Sequence, residues 1–85
     1  MKKEEAVKLL KKSKQMCDKI MIGDHIGQTG VVTHIDYPNP AAWDGDEKYY
    51  PPIKYFGSVH YRSDNGLHSA DPYKIKKAGA TWEVE

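Results

Sequence analysis

None of the chain's seven glycines and five prolines falls within its first 22 residues. The residues that break regular structure are confined to positions 23–85, so the two parts of the chain must fold by different rules. The leading stretch, residues 3 to about 19, is built almost entirely from good helix formers. Ala6, Leu9, Met16 and Ile20 recur at helical spacing, and Leu10 and Cys17 widen that apolar stripe. Glu4 and Glu5 in the first turn and Lys14 and Lys19 near the end complement the helix dipole, while Glu4 and Lys8 stand one turn apart. The spacing predicts an amphipathic helix over residues 1–19. Such a helix is marginal alone in water, so it must pack on the rest of the chain or on another subunit.

Beyond it, short runs rich in β-branched and aromatic residues alternate with turn residues, the pattern of a small antiparallel sheet or barrel. Five strands are predicted, at about 19–22, 31–37, 53–61, 67–69 and 73–77. In the third, Tyr55, Gly57, Val59 and Tyr61 alternate with Lys54, Phe56, Ser58, His60 and Arg62, which sorts them onto two faces. Ser63-Asp64-Asn65-Gly66 supplies residues that tolerate positive φ, so a tight hairpin is expected there. Residues 78–85 read either as a frayed end or as an added edge strand carrying Trp82 and Val84. A chain of 85 residues supports one core, and an apolar share of 39% against 29% charged residues is a globular balance, so residues 1–85 read as a single domain.

The chemistry-bearing residues are few. Cys17 is the sole cysteine and sits on the apolar stripe, which predicts a buried small hydrophobe and excludes an internal disulfide. No apolar run is long enough for a membrane span or a signal peptide, so a cytoplasmic location without membrane contact is the expectation. His34 and Asp36 are two apart on a predicted strand and share a face. Yet His25, His60 and His68 lie in separate segments and no C-x-x-C or H-x-x-x-H spacing occurs, so neither a metal nor another cofactor is expected. Asp44 and Asp46 fall in a long loop that does not hold the fixed geometry acid–base chemistry requires. The reading is of a protein that is not an enzyme.

From Ile20 to Ile35 the chain reads as a strand, a compact glycine turn and a second strand, with glycines at 23, 27 and 30. The spacing GxxxGxxG, followed by a β-rich run, lacks the Gly-Lys-Ser/Thr and following helix of a phosphate-binding loop. Apolar-x-apolar-Gly23, then Gly27-x-x-Gly30-x-Val32, resembles the KOW motif and its relatives among SH3-like barrels. That family includes ribosomal proteins, transcription elongation factors and small phage and prophage proteins. Ser58-Val59-His60-Tyr61, the Asp64-Asn65-Gly66 turn and Asp71-Pro72-Tyr73-Lys74-Ile75 are similar to the distal part of such a barrel, with its short helical turn and closing strand. The resemblance implies a mainly β, α+β fold: an N-terminal amphipathic helix (1–19), a five-stranded SH3-like barrel (20–77) and a tail (78–85). It also implies a binding module. Family members that grip RNA present Lys or Arg around the glycine turn, whereas this turn carries Asp24, His25, Gln28 and Thr29.

Binding residues are therefore expected elsewhere. Residues 38–52 hold four of the five prolines together with Trp43, Asp44, Asp46, Glu47, Tyr49 and Tyr50, and loops this long in small domains are often functional. Among the aromatics Tyr37, Trp43, Tyr49, Tyr50, Tyr55 and Phe56, some must build the core, and Trp43, between Ala42 and Asp44, reads either as an exposed anchor or as buried by the loop packing over one end of the barrel. These residues point to a protein partner, as for an adaptor or an inhibitor, and by resemblance to a phage-encoded modulator of a host process. The alternative is nucleic acid. Residues 1–19 carry seven lysines against three acids, and residues 20–85 six basic residues against nine acids. Lys8, Lys11, Lys12, Lys14 and Lys19 of the helix, with Arg62, Lys74, Lys76 and Lys77, would then meet phosphates. A third reading is a tyrosine-lined pocket for a nucleotide-like ligand, formed within an oligomer.

Overall fold

The computed structural model describes all 85 residues, Met1 to Glu85. Helix α1 spans Lys3–Lys19, as the apolar periodicity predicts, and ends where Ile20 turns extended while its N–H still reaches the Met16 carbonyl at 2.9 Å. Strands β1 (His25–Ile26), β2 (Gly30–Asp36), β3 (Ser58–Ser63), β4 (Gly66–Ala70), β5 (Ile75–Ala78) and β6 (Thr81–Val84) follow. A short helix α2 (Ile53–Phe56) precedes β3, and 3₁₀ turns occupy Pro40–Ala42 and Pro72–Lys74. The strands form one mixed, curled sheet in the order β4-β3-β2-β1-β6-β5, a half-barrel in which β1 and β6 run parallel and all other neighbours antiparallel.

The sheet has six strands where five are expected, and each difference has a local cause. Residues 19–22 are not a strand. Asp24 accepts the Met21 N–H at 2.9 Å and its own N–H reaches the Met21 carbonyl at 3.0 Å, a turn that uses the backbone groups a strand would need. Ile20 enters the core, while Met21 and Ile22 stand in solvent. Residues 53–56 are helical because Pro51 and Pro52 pre-set the chain for a helix start, and the turn stops at Gly57, whose φ of 79° no β-branched residue tolerates. A side chain at Gly57 would also run into the Asp36 carbonyl of β2, so this glycine lets α2 close against the sheet. Residues 72–74 form a 3₁₀ turn and the strand begins only at Ile75. The tail is neither frayed nor an edge: β6 lies between β1 and β5, with Ile26 beside Trp82.

The glycines close a hairpin, but a shorter one than expected, its first strand being His25–Ile26 inside the predicted turn. Gly30 packs so tightly over the Ile26 carbonyl that no Cβ fits, which closes β1 onto β2. At the other hairpin, Ser63 pairs with Gly66 across Asp64 and Asn65, and the positive φ falls on Gly66 alone.

Two cores flank α1. The larger joins Ile20, Ile26, Val32, Val59, Ile75 and Trp82, with Met16 and Ile35 packed against them. The smaller joins Ala6, Tyr55 and Phe56, with Leu9, Leu10, Trp43 and Tyr73 around them. The N-terminal half of the helix thus serves one core and its C-terminal end the other, so α1 packs on its own sheet. Ser13, a polar residue on the buried face, is fully enclosed with its hydroxyl unpaired.

Candidate functional site

Two surfaces and one polar cluster qualify as sites. The first surface is the loop of residues 38–52. Trp43 takes the second of its two expected places, half-buried against the edge of Tyr55 at a ring separation of 5.3 Å. It heads an edge-to-face series running through Phe56 to Tyr73, at 5.0 and 5.1 Å. The acids of the loop are structural in part. Asp44 accepts the Asp46 N–H at 2.9 Å, Asp46 accepts the Lys48 N–H at 3.0 Å, and Glu47 accepts the Lys3 N–H at 2.7 Å where α1 begins. This last bond satisfies one of the helix's orphan N–H groups and ties the loop to the helix. What the loop leaves uncovered is Tyr49 and Tyr50, 68% and 73% exposed, and beside them Ile53, 70% exposed. Ile53 is not among the site residues expected from sequence, because the alternation across residues 53–61 predicts a strand there.

The second surface is a groove between α1 and the β5–β6 hairpin, about 490 Å³ in volume, lined by Lys12, Met16, Lys19, Ile75, Lys76, Lys77 and Trp82. The Lys77 ammonium lies 4.5 Å above the Trp82 ring, a cation–π contact. The molecule's close contacts between basic and acidic side chains are His34–Asp36, His60–Asp36 and Lys74–Asp71, none of them at this groove. The basic residues named from sequence therefore separate. Lys12, Lys76 and Lys77 meet, joined by Lys19, with Lys8 one turn before Lys12 on the same helix stripe. Lys11 and Lys14 lie on the other flank of α1 beside Tyr37 and Pro40, Arg62 is on β3, and Lys74 is 3.6 Å from Asp71.

The cluster went unpredicted. A β-bulge at Thr33 shifts the β2–β3 register so that His34 lies opposite His60, with Asp36 two residues on along the same face. Both imidazoles converge on one carboxylate: His34 Nε2 is 2.8 Å from Asp36 Oδ1 and His60 Nε2 is 2.8 Å from Oδ2. Hydrogen bonds from His60 and then His34 hold the Asp36 carboxyl below its ordinary value. The His34–Asp36 pair was legible at a spacing of two, but His60 joins it only through the bulge. No group of three or more His, Cys, Asp or Glu side chains is placed to hold a metal ion. The one thiol, Cys17, is buried in the helix face, and desolvation pushes its pKa up to about 11, which keeps it protonated and unreactive.

A second carboxylate is held in the same manner at the sheet. Asp24 accepts the Met21 N–H and, at 2.9 Å, the Trp82 indole N–H, and its carboxyl is lowered by these two bonds in that order. The tyrosines are dispersed. Tyr55 is core, Tyr61 stacks on His68, Tyr37 donates to the Cys17 carbonyl, and Tyr49 and Tyr50 face solvent.

No protein-family model, curated protein or solved structure matches this chain. No helix is long and apolar enough to cross a membrane.

Proposed function

We propose that this protein is a non-catalytic binding module of the SH3-like kind that engages a protein partner through Tyr49, Tyr50 and Ile53, as an adaptor or an inhibitor. The observation that carries the reading is three large side chains about 70% exposed within five residues of one another, two at the end of the loop and one at the start of α2, with the loop fastened at several points. Trp43 anchors one end in the aromatic core, Glu47 bonds the start of α1, and α2 closes the other end. A loop ordered before binding loses less entropy when it binds, and exposed tyrosines are favoured anchors because they offer area and a hydroxyl together. The neighbouring Asp44, Asp46 and Glu47 set a negative rim, which favours a basic partner and speeds its approach. The resemblance of the Gly23-to-Val32 pattern to small SH3-like proteins, including phage ones, supports a module whose work is recognition and, in a phage setting, modulation of a host protein.

The test is a capture experiment with matched variants. A partner held by the wild type is expected to be lost with Tyr49→Ala/Tyr50→Ala, while the thermal midpoint moves little because both side chains are in solvent. The same partner is expected to persist with Lys12→Glu/Lys19→Glu. An unchanged set of partners for the tyrosine variant overturns the assignment.

A further inference from the structure

The basic groove is a separate surface from the tyrosine loop, and its chemistry points to a different ligand. Lys12 and Lys19 rise from one helix stripe and Lys76 and Lys77 from β5, and no ion pair neutralises any of the four. Lys8 extends the row, and between Lys8 and Lys19 no acidic residue falls on that stripe, since Asp18 lies on another side of the helix. Among the acids on this side, Glu4 stands one turn before Lys8, Glu83 lies across from Lys76 on β6, and the Asp24 carboxyl feels the charge of Lys77. The groove remains net positive. Gathering unpaired ammoniums this way costs self-repulsion, which a bound polyanion relieves.

The floor bears on which polyanion fits. Ile75 is 1% and Trp82 6% exposed, and Lys77 already covers the indole face. The apolar surface left in the groove comes from half-buried Met16 and the lysine stems, and a base would find no free ring to stack on. What the groove offers is a track of ammoniums above lysine methylenes. Along the helix, a rise of about 1.5 Å per residue sets Lys8 and Lys19 about 16 Å apart, a span over which a strand presents several phosphates. Lysines act as point charges on phosphate rather than as readers of base edges. We infer that the groove between α1 and the β5–β6 hairpin binds the phosphate backbone of single-stranded nucleic acid without regard to sequence.

Fluorescence anisotropy with labelled oligo(dT) and oligo(U) tests this. Wild type is expected to bind both, with log K falling against log salt at a slope of about −2 for three phosphates neutralised. Lys12→Glu/Lys19→Glu is expected to weaken binding at least about tenfold and to flatten the slope by about 1.4. Lys11→Glu/Lys14→Glu makes the same charge change on the other flank and is expected to stay within about twofold. All four positions are exposed, and a circular dichroism melt of each variant confirms the fold. Undetectable binding at low salt, equal loss in both variants, preference for duplex, or displacement by polyglutamate at matched charge each overturns the inference. Failure here leaves the tyrosine loop untouched, because the same lysine variant serves there as the variant that retains its partner.

Discussion

The two halves of α1 face cores of different make. Toward its C-terminus the helix lays Met16 and Ile20 on an aliphatic cluster closed by strands distant in sequence, with Ile26 of β1 beside Trp82 of β6. Toward its N-terminus, Ala6, Leu9 and Leu10 meet an aromatic series drawn from the loop and α2. The first core is closed by a ladder of backbone hydrogen bonds, whereas the second depends on edge-to-face rings and the Glu47 bond to the helix. Because one helix seals both, the loop that presents Tyr49 and Tyr50 belongs to the fold and is not a tether hung from it. The strongest way to break this comparison is to cut each core. Ile75→Ala should cost about 2–5 kcal/mol and Phe56→Ala about 3–5 kcal/mol, large shares of the 5–15 kcal/mol that holds a typical domain. If α1 couples the cores, urea unfolding of each variant stays a single transition. Each core carries one tryptophan, so fluorescence of Trp43 and Trp82 in single-tryptophan backgrounds reads them separately. An early transition seen by Trp43 alone in Phe56→Ala would show that the loop core opens by itself.

A milder cut sharpens the role of Trp43. The indole is half-buried, so Trp43→Ala should cost about half of the 3–5 kcal/mol lost with a fully buried aromatic. Its Nε1–H is enclosed without a partner, however, and an orphaned buried donor costs about 1–3 kcal/mol. Trp43→Phe removes that donor and keeps a ring against Tyr55, so its net effect should lie within about 1 kcal/mol of wild type. Equal losses for the two substitutions, in the same urea titration, would mean that the ring contact is not what holds the loop.

The contrast between the cores also explains what the sequence could and could not disclose. The helix was legible because its periodicity and the absence of glycine and proline are local signals, and the hairpin at Ser63–Gly66 was legible for the same reason. The run Ile20-Met21-Ile22 is as good a strand pattern as many, but Asp24 diverts its backbone into a turn. The run from Ile53 failed because alternation across residues 53–61 outweighed the two prolines before it, which in the fold start a helix. The tail depended on Ile26 meeting Trp82, 56 positions away, a pairing no local pattern encodes. At the candidate sites, charge and residue type were readable but partnership was not. Charge and residue type point to Lys12, Lys76 and Lys77 but not to the groove that joins them, and nothing local decides whether Trp43 faces solvent or packs on Tyr55.

The smallest expected effect concerns pH and separates the two stapled carboxylates. Asp24 fastens the turn after α1 to Trp82 of the larger core, while Asp36 fastens β2 to β3 through His34 and His60. Both carboxyls are lowered in the folded state by the hydrogen bonds they accept. A depressed folded value means that their contribution is fully present above the unfolded value of about 3.9 and is lost as pH falls through the folded one. Asp36 faces solvent and Asp24 is only half-buried, so the change should be a modest drop in Tm between pH 6 and pH 3. Asp24→Asn and Asp36→Asn each remove one titrating group and should each shrink that drop. If the Trp82 bond makes Asp24 the firmer staple, Asp24→Asn also lowers Tm at pH 6 by more than Asp36→Asn does, because it acts on the core closed by long-range pairing. A drop of unchanged size in both variants would assign the acid sensitivity to other carboxylates.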